Sequence, residues 1–149
     1  MSAVFVTGTG TDIGKTFVTA ALIHALRRRC KPVDALKPIA SGFDPAEVEI
    51  SDPGVLLAAL GEAVTTAALD RIAPWRYRAP LSPDMAARRE GRPLDFTALS
   101  RFTRERIEAA PGTLLIEGVG GVMVPLDDRH TVLDWIEAVR VPLLLVAGS

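Results

Sequence analysis

Near its start the chain passes from an apolar run into glycines and then into a basic, hydroxyl-bearing pair: Val4-Phe5-Val6-Thr7-Gly8-Thr9-Gly10-Thr11-Asp12-Ile13-Gly14-Lys15-Thr16. An apolar strand that ends in glycines can turn tightly and aim its backbone N–H groups inward at an anion. A helix beginning at Lys15 adds the positive end of its dipole. Phosphate is the guest such a turn suits, with Lys15 reaching the outer phosphates and the Thr16 hydroxyl free to ligate Mg²⁺. The usual phosphate-binding loop has four residues between its first glycine and the Gly-Lys pair. That spacing would put a glycine at position 9, where Thr9 stands, so counted from Gly8 the loop is one residue longer. The alternative is a glycine-rich turn with a surface lysine. The intact Gly14-Lys15-Thr16 between a strand and a helix favours nucleotide binding.

The rest of the chain says what kind of sheet this strand belongs to. Ala3 to Thr7, Val33 to Lys37, Thr113 to Glu117 and Pro142 to Val146 are apolar runs without polar alternation, as expected of parallel strands covered on both faces. Helical signals separate them. Lys15 to Arg29 follows the loop; Asp52-Pro53 and Ser82-Pro83 each pair a capping residue with proline at a first helical position. Asp95 can cap a helix with Phe96, Leu99, Thr103 and Ile107 on one stripe, and Thr131 one carrying Leu133, Ile136 and Val139. Alternating strands and helices imply an α/β fold, a doubly wound, mostly parallel sheet with helices on both faces. The 149 residues are expected to form a single domain, 1–149, with a full core. Ser41 to Ser51 and Pro74 to Pro83 read as loops and as candidate walls of a ligand crevice.

Composition narrows the partners. A net charge of −1 gives no electrostatic footprint for nucleic acid or an anionic membrane. No stretch approaches the length of a membrane span, and a single cysteine, Cys30, excludes an internal disulfide. The expectation is a soluble, cytoplasmic protein. Arg27-Arg28-Arg29 suits the negative end of the first helix as a solvated face. His24 and His130 lack partners at metal spacing and read as structural. Trp75-Arg76-Tyr77 and Trp135 read as packing.

Glu117 ends an apolar strand and is followed by Gly118-Val119-Gly120-Gly121, so its carboxylate belongs at the same sheet edge as the first loop, where a metal ligand is needed. A solvated strand-end charge is the alternative. Asp52 is explained by capping alone, and a metal role for it stays open on these grounds.

In these segments the chain resembles the dethiobiotin synthetases, ATP-dependent enzymes of the P-loop NTPase superfamily. The resemblance is carried by the lengthened loop Gly8 to Thr16, by Lys37-Pro38-Ile39-Ala40-Ser41-Gly42, by Pro80-Leu81-Ser82-Pro83 and by Glu117-Gly118-Val119-Gly120-Gly121, and it covers nearly the whole chain. It implies that Gly10, Thr11, Asp12, Ile13, Gly14, Lys15 and Thr16 hold ATP, and that Thr16, Asp52 and Glu117 surround Mg²⁺. It further implies that Thr11, Lys15 and Lys37 serve the chemistry, that Ser41 faces the reacting carbamate and γ-phosphate, and that Gly118, Val119, Gly120 and Gly121 border the diamine. The implied reaction takes 7,8-diaminopelargonate, CO₂ and ATP. An amine takes up CO₂ as a carbamate, a carbamate oxygen attacks the γ-phosphate releasing ADP, and the second amine displaces phosphate to close the ureido ring. Fixed positive charge is what two anions meeting in a site require, and Mg²⁺, Lys15 and Lys37 supply it. The resemblance also implies a homodimer.

Two substitutions depart from the family pattern, Val119 for the more usual alanine and Asp84 for a histidine. Family members continue past position 149 through segments that hold adenine, so the chain reads as truncated at its C-terminus. Two rivals share the superfamily. A switch-type partitioning ATPase usually carries a second lysine early in the loop, where this chain has Gly8-Thr9-Gly10-Thr11. A corrinoid amide synthase would carry a glutamine-hydrolysing domain further along.

Overall fold

A computed structural model describes residues 2–148. Strand β1 (Ser2–Gly8) leads through the glycine loop into α1 (Lys15–Arg28), and β2 (Val33–Leu36) follows. A two-residue strand β3 (Ile39–Ala40), a 3-10 stretch Pro45–Ile50, α2 (Asp52–Leu60) and α3 (Thr66–Ile72) come next. Then follow β4 (Trp75–Arg76), α4 (Pro83–Glu90), α5 (Phe96–Ala109), β5 (Thr113–Glu117), α6 (Val132–Val139) and β6 (Leu143–Val146). The main sheet has four strands in the order β2-β5-β1-β6, every pair parallel, which is the architecture the alternating runs call for. β1 and β5 occupy its centre. Their side chains are accordingly the most apolar: Phe5, Val6, Leu114 and Ile116 are fully buried.

Trp135 on α6 is also fully buried, edge-on to Phe5 with ring centroids 4.8 Å apart. Its indole Nε1–H donates to the Thr103 hydroxyl at 3.1 Å, so the one polar atom of the ring is satisfied. This contact ties α5 and α6 to the sheet. On α6 the inward stripe is Val132, Trp135, Ile136 and Val139, whereas Leu133, expected on that stripe, is exposed. Asp95 caps α5, accepting from the Ala98 N–H at 3.1 Å.

Four local expectations change. The cap of α2 is Ser51, whose hydroxyl accepts from the Gly54 N–H at 3.2 Å, and Asp52 is the first helical residue. The shift by one residue frees the Asp52 carboxylate from the helix end. The two supposed loops carry structure of their own: Pro45–Ile50 is 3-10 helical, and β4 pairs in parallel with β3, Trp75 opposite Ile39 and Arg76 opposite Ala40. Helix α3, capped by Thr65 through the Ala68 N–H, was not anticipated, because the seven-residue element is too short for a clear apolar period. Arg27 is not a simple solvated charge either, since its guanidinium donates to the Ala59 carbonyl at the end of α2 at 2.7 Å. Tyr77 packs in the core with its hydroxyl on the Arg92 carbonyl.

Candidate active site

The site assembles from strand register. Leu36 lies opposite Ile116, and Val6 opposite Glu117, so the residues that step off β2, β5 and β1 at their carboxyl ends emerge side by side. Lys37 and Glu117 are the first to do so. The Lys37 Nζ donates to Glu117 Oε1 at 2.8 Å and to the Gly118 carbonyl at 2.7 Å, and stands 3.3 Å from Asp52 Oδ2. The Thr16 hydroxyl, in the first turn of α1, donates to the same Glu117 oxygen at 2.6 Å. A hydroxyl, an ammonium and two carboxylates from four separate segments thus meet at one corner.

Burial decides how strongly these groups act on one another. Glu117 is fully buried and Lys37 nearly so, while the Asp52 side chain is about half exposed at 51%. Burial alone would push the Lys37 ammonium toward its neutral form, but Glu117, and then Asp52, hold it above the ordinary lysine value. Lys15 goes the other way. Burial, reinforced by the charge of Lys37, lowers it against the pull of Glu117, Asp52 and Asp12. Its Nζ donates to the Gly10 carbonyl at 2.8 Å and so lies across its own loop. An anion placed in that loop would relieve both effects.

The loop backbone has the conformation its glycines imply. Gly14 has φ of 100° and Asp12 sits in the left-handed region at 55°, which an aspartate tolerates better than most residues. Gly8 leaves no room for a side chain, because a Cβ there would run into Ile13. The loop closes over Ile13 rather than over solvent.

Above this corner opens a cavity of about 740 Å³. Thr11, Asp12, Gly14, Lys15 and Thr16 line it from the loop, Lys37, Ser41 and Asp52 from the β2 side, and Val119 and Gly120 from beyond β5. Glu117 contributes from the floor, and Pro80 to Pro83 close one wall. Four residues of the expected set are placed differently. Gly10 acts through its carbonyl on Lys15, and Ile13 fills space beneath the loop. Gly118 and Gly121 stand behind the wall: the Gly118 N–H donates to the Val6 carbonyl at 2.9 Å, and Gly121 abuts the backbone of Thr9 and Gly10, where a Cβ would come within 3.1 Å of the Thr9 oxygen. Gly121 braces the glycine loop and Gly118 the end of β1, because β1 and β5 run parallel and release their loops at the same edge. Asp84 accepts from the Ser82 hydroxyl at 2.5 Å, beside the cavity wall at the start of α4.

Two residues of the mouth escaped sequence reasoning. Phe17 and Ile50 line the cavity yet are 77% and 74% exposed. An aromatic directly after the Lys-Thr pair was the available signal for the first; nothing marked the second.

Two polar atoms of the site are buried without a hydrogen-bond partner, the Ser41 Oγ and the Glu117 Oε2. Orphaned oxygens are costly, and both belong to a cavity large enough for a ligand. Among the described residues no group of three or more His, Cys, Asp or Glu side chains could hold a metal unaided. Two carboxylates and a hydroxyl are nonetheless what Mg²⁺ asks of a protein when phosphate oxygens and water complete its shell. The donor set fits that ion, and the unpartnered Glu117 oxygen is where the fit is most direct.

Comparison with known proteins places this geometry. A family model described as an AAA domain matches residues 2–149. The chain is 50% identical over 150 residues to an ATP-dependent dethiobiotin synthetase, BioD, of Acidiphilium cryptum, covering all of this chain and 67% of the relative. The chain belongs to the dethiobiotin synthetase family. Proteins of the same name from a Caulobacter species and from Methylobacterium nodulans are 55% and 52% identical, again over all of this chain and over 64% and 68% of their own lengths. The chain therefore spans about two thirds of the length of these relatives. The partitioning ATPase and the corrinoid amide synthase fall away as rivals. No helix among the described residues is long and apolar enough to cross a membrane.

Proposed function

We propose that the protein containing this chain is a dethiobiotin synthetase, closing the ureido ring of dethiobiotin from 7,8-diaminopelargonate, CO₂ and ATP. The observation that carries the proposal is the corner where Thr16, Lys37 and Asp52 converge on buried Glu117 beneath a phosphate-binding loop. In this reading the N–H groups from Gly10 to Thr16 and the Lys15 ammonium hold the triphosphate. Mg²⁺, when bound, neutralises the charge gathering on the phosphates, and Thr16, Asp52 and Glu117 are the residues that would hold it. Lys37, with Thr11 and Ser41 nearby on the cavity wall, faces the carbamate and the γ-phosphate.

The chemistry needs little proton transfer from the protein. Carbamate and triphosphate are both anionic, and bringing an oxygen of one onto the phosphorus of the other depends on positioning and on positive charge that does not relax during reaction. A lysine that leaves the end of β2 and is ion-paired to Glu117 at the end of the adjacent β5 meets that requirement. Val119 and Gly120 border the space left for the diamine, the bulkier Val119 narrowing it relative to an alanine. We infer further that the protein acts as a homodimer in the cytoplasm. The exposed apolar side chains of Phe17 and Ile50 at the cavity mouth, and a lone unpaired Cys30, support these two points.

The test is turnover of the full protein with diaminopelargonate, bicarbonate and Mg-ATP, omitting each in turn. Dethiobiotin and phosphate should form in equal amounts and only when all are present. Phosphate release indifferent to the diamine would refute the assignment.

A further inference from the structure

We propose that Lys37 is a built-in counter-cation: in the absence of a divalent ion its ammonium occupies the charge position between Glu117 and Asp52, and it gives up these carboxylates when a metal enters. The inference rests on the reading of Thr16, Asp52 and Glu117 as the metal-holding set and adds a competition within it.

Three observations support the exchange. First, Glu117 is fully buried, and a buried carboxylate with no compensating charge is strongly unfavourable. A cation or a proton must compensate it, and in this structure the cation is the Lys37 ammonium at 2.8 Å. Second, Lys37 is held by the very atoms in question: its ammonium donates to Glu117 Oε1 and to the Gly118 carbonyl, and forms an ion pair with Asp52 Oδ2 at 3.3 Å. Third, the rest of the set is already arranged for a different occupant. The Thr16 hydroxyl gives its proton to Glu117 Oε1, leaving its lone pairs free, and Glu117 Oε2 is buried without a partner. An ammonium satisfies one oxygen of Glu117 where an ion with several ligand positions could satisfy both.

An ammonium and a divalent cation in contact with the same two carboxylates repel each other strongly at this degree of burial. Lys37 sits at the end of β2 on a flexible four-carbon stem, so withdrawal toward the cavity needs only side-chain rotation. The movement would carry its charge from the metal position toward the space where the reacting anions meet. Metal entry and arrival of the lysine at the chemistry would then be one event.

The test is Mn²⁺ binding to the nucleotide-free full protein, followed by electron paramagnetic resonance of the free ion at constant pH and ionic strength. Lys37→Gln and Lys37→Met should each bind Mn²⁺ about tenfold more tightly than the wild type, or better. Adding Asp52→Asn to Lys37→Met should abolish the gain. The thermal midpoint of both single variants should rise on adding Mn²⁺ by more than that of the wild type. If the variants do not fold without metal, Mn²⁺ should restore their circular dichroism while potassium chloride of equal ionic strength does not. Equal Mn²⁺ affinity in wild type and both variants would overturn the proposal. So would a gain that survives loss of Asp52, or variants that stay unfolded at saturating Mn²⁺. Repeating the wild-type titration with ATP separates the two readings: absence of tighter Mn²⁺ binding with nucleotide counts against the synthetase assignment, whereas the exchange is read entirely without it.

Discussion

The floor of the cavity and its rim are built on different principles. The floor is Lys37 and Glu117, both buried, both leaving the ends of paired parallel strands, and joined by a 2.8 Å ion pair. The rim is Asp52, Phe17 and Ile50, all largely exposed, on helix starts and a 3-10 stretch. Backbone register positions the floor, so it can hold charge in place without ligand. The rim has open contacts that a nucleotide, a substrate or another subunit would complete. A substitution in the floor should therefore damage stability as well as activity, and one in the rim activity alone.

The largest effect is expected for Glu117→Ala. It removes the partner of a buried ammonium and should cost about 3–5 kcal/mol of stability, read by chemical denaturation, together with all turnover. A variant of near-wild-type stability would show that the floor is not a buried pair. Next comes Lys37→Ala, which should lower stability by leaving Glu117 without its partner and abolish turnover, while Mg-ATP binding, measured by calorimetry, is not lost; a near-normal rate would remove Lys37 from the mechanism. Asp52→Asn should lower the rate and raise the Mg²⁺ concentration needed, yet shift stability by less than about 1 kcal/mol, as an exposed charge contributes little. A large loss of stability there would erase the distinction between floor and rim.

A smaller effect should appear in pH dependence. Lys15 is held below the ordinary lysine value, chiefly by burial and by the charge of Lys37. Bound polyphosphate favours its charged form, so binding takes up protons. ATP affinity should then fall as pH rises through the lowered value, and Lys15→Arg, which stays charged, should flatten the profile. An unchanged slope in that variant would mean that Lys15 is not the group that meets the phosphates.

Much of this was legible before any coordinates, and unevenly so. The glycine loop, the strand-end position of Glu117 and the parallel sheet follow from local patterns, because each is encoded in consecutive residues. The convergence of Lys37 on Glu117 was not, since it depends on which strands are neighbours and on Leu36 facing Ile116. Ser51 and Asp52 are both good capping residues one position apart, and only the backbone decides between them. Gly118 and Gly121 looked like walls of the cavity and are braces behind it, a distinction between facing a ligand and allowing two chains to approach that composition does not carry.

The most direct test is a crystal structure of the full protein soaked with ATP and magnesium. Phosphates should lie against the backbone of residues 10–16 and the Lys15 ammonium, and a metal ion should contact Thr16, Asp52 and Glu117. Polyphosphate bound elsewhere, or a loop that stays empty at saturating nucleotide, would contradict that placement.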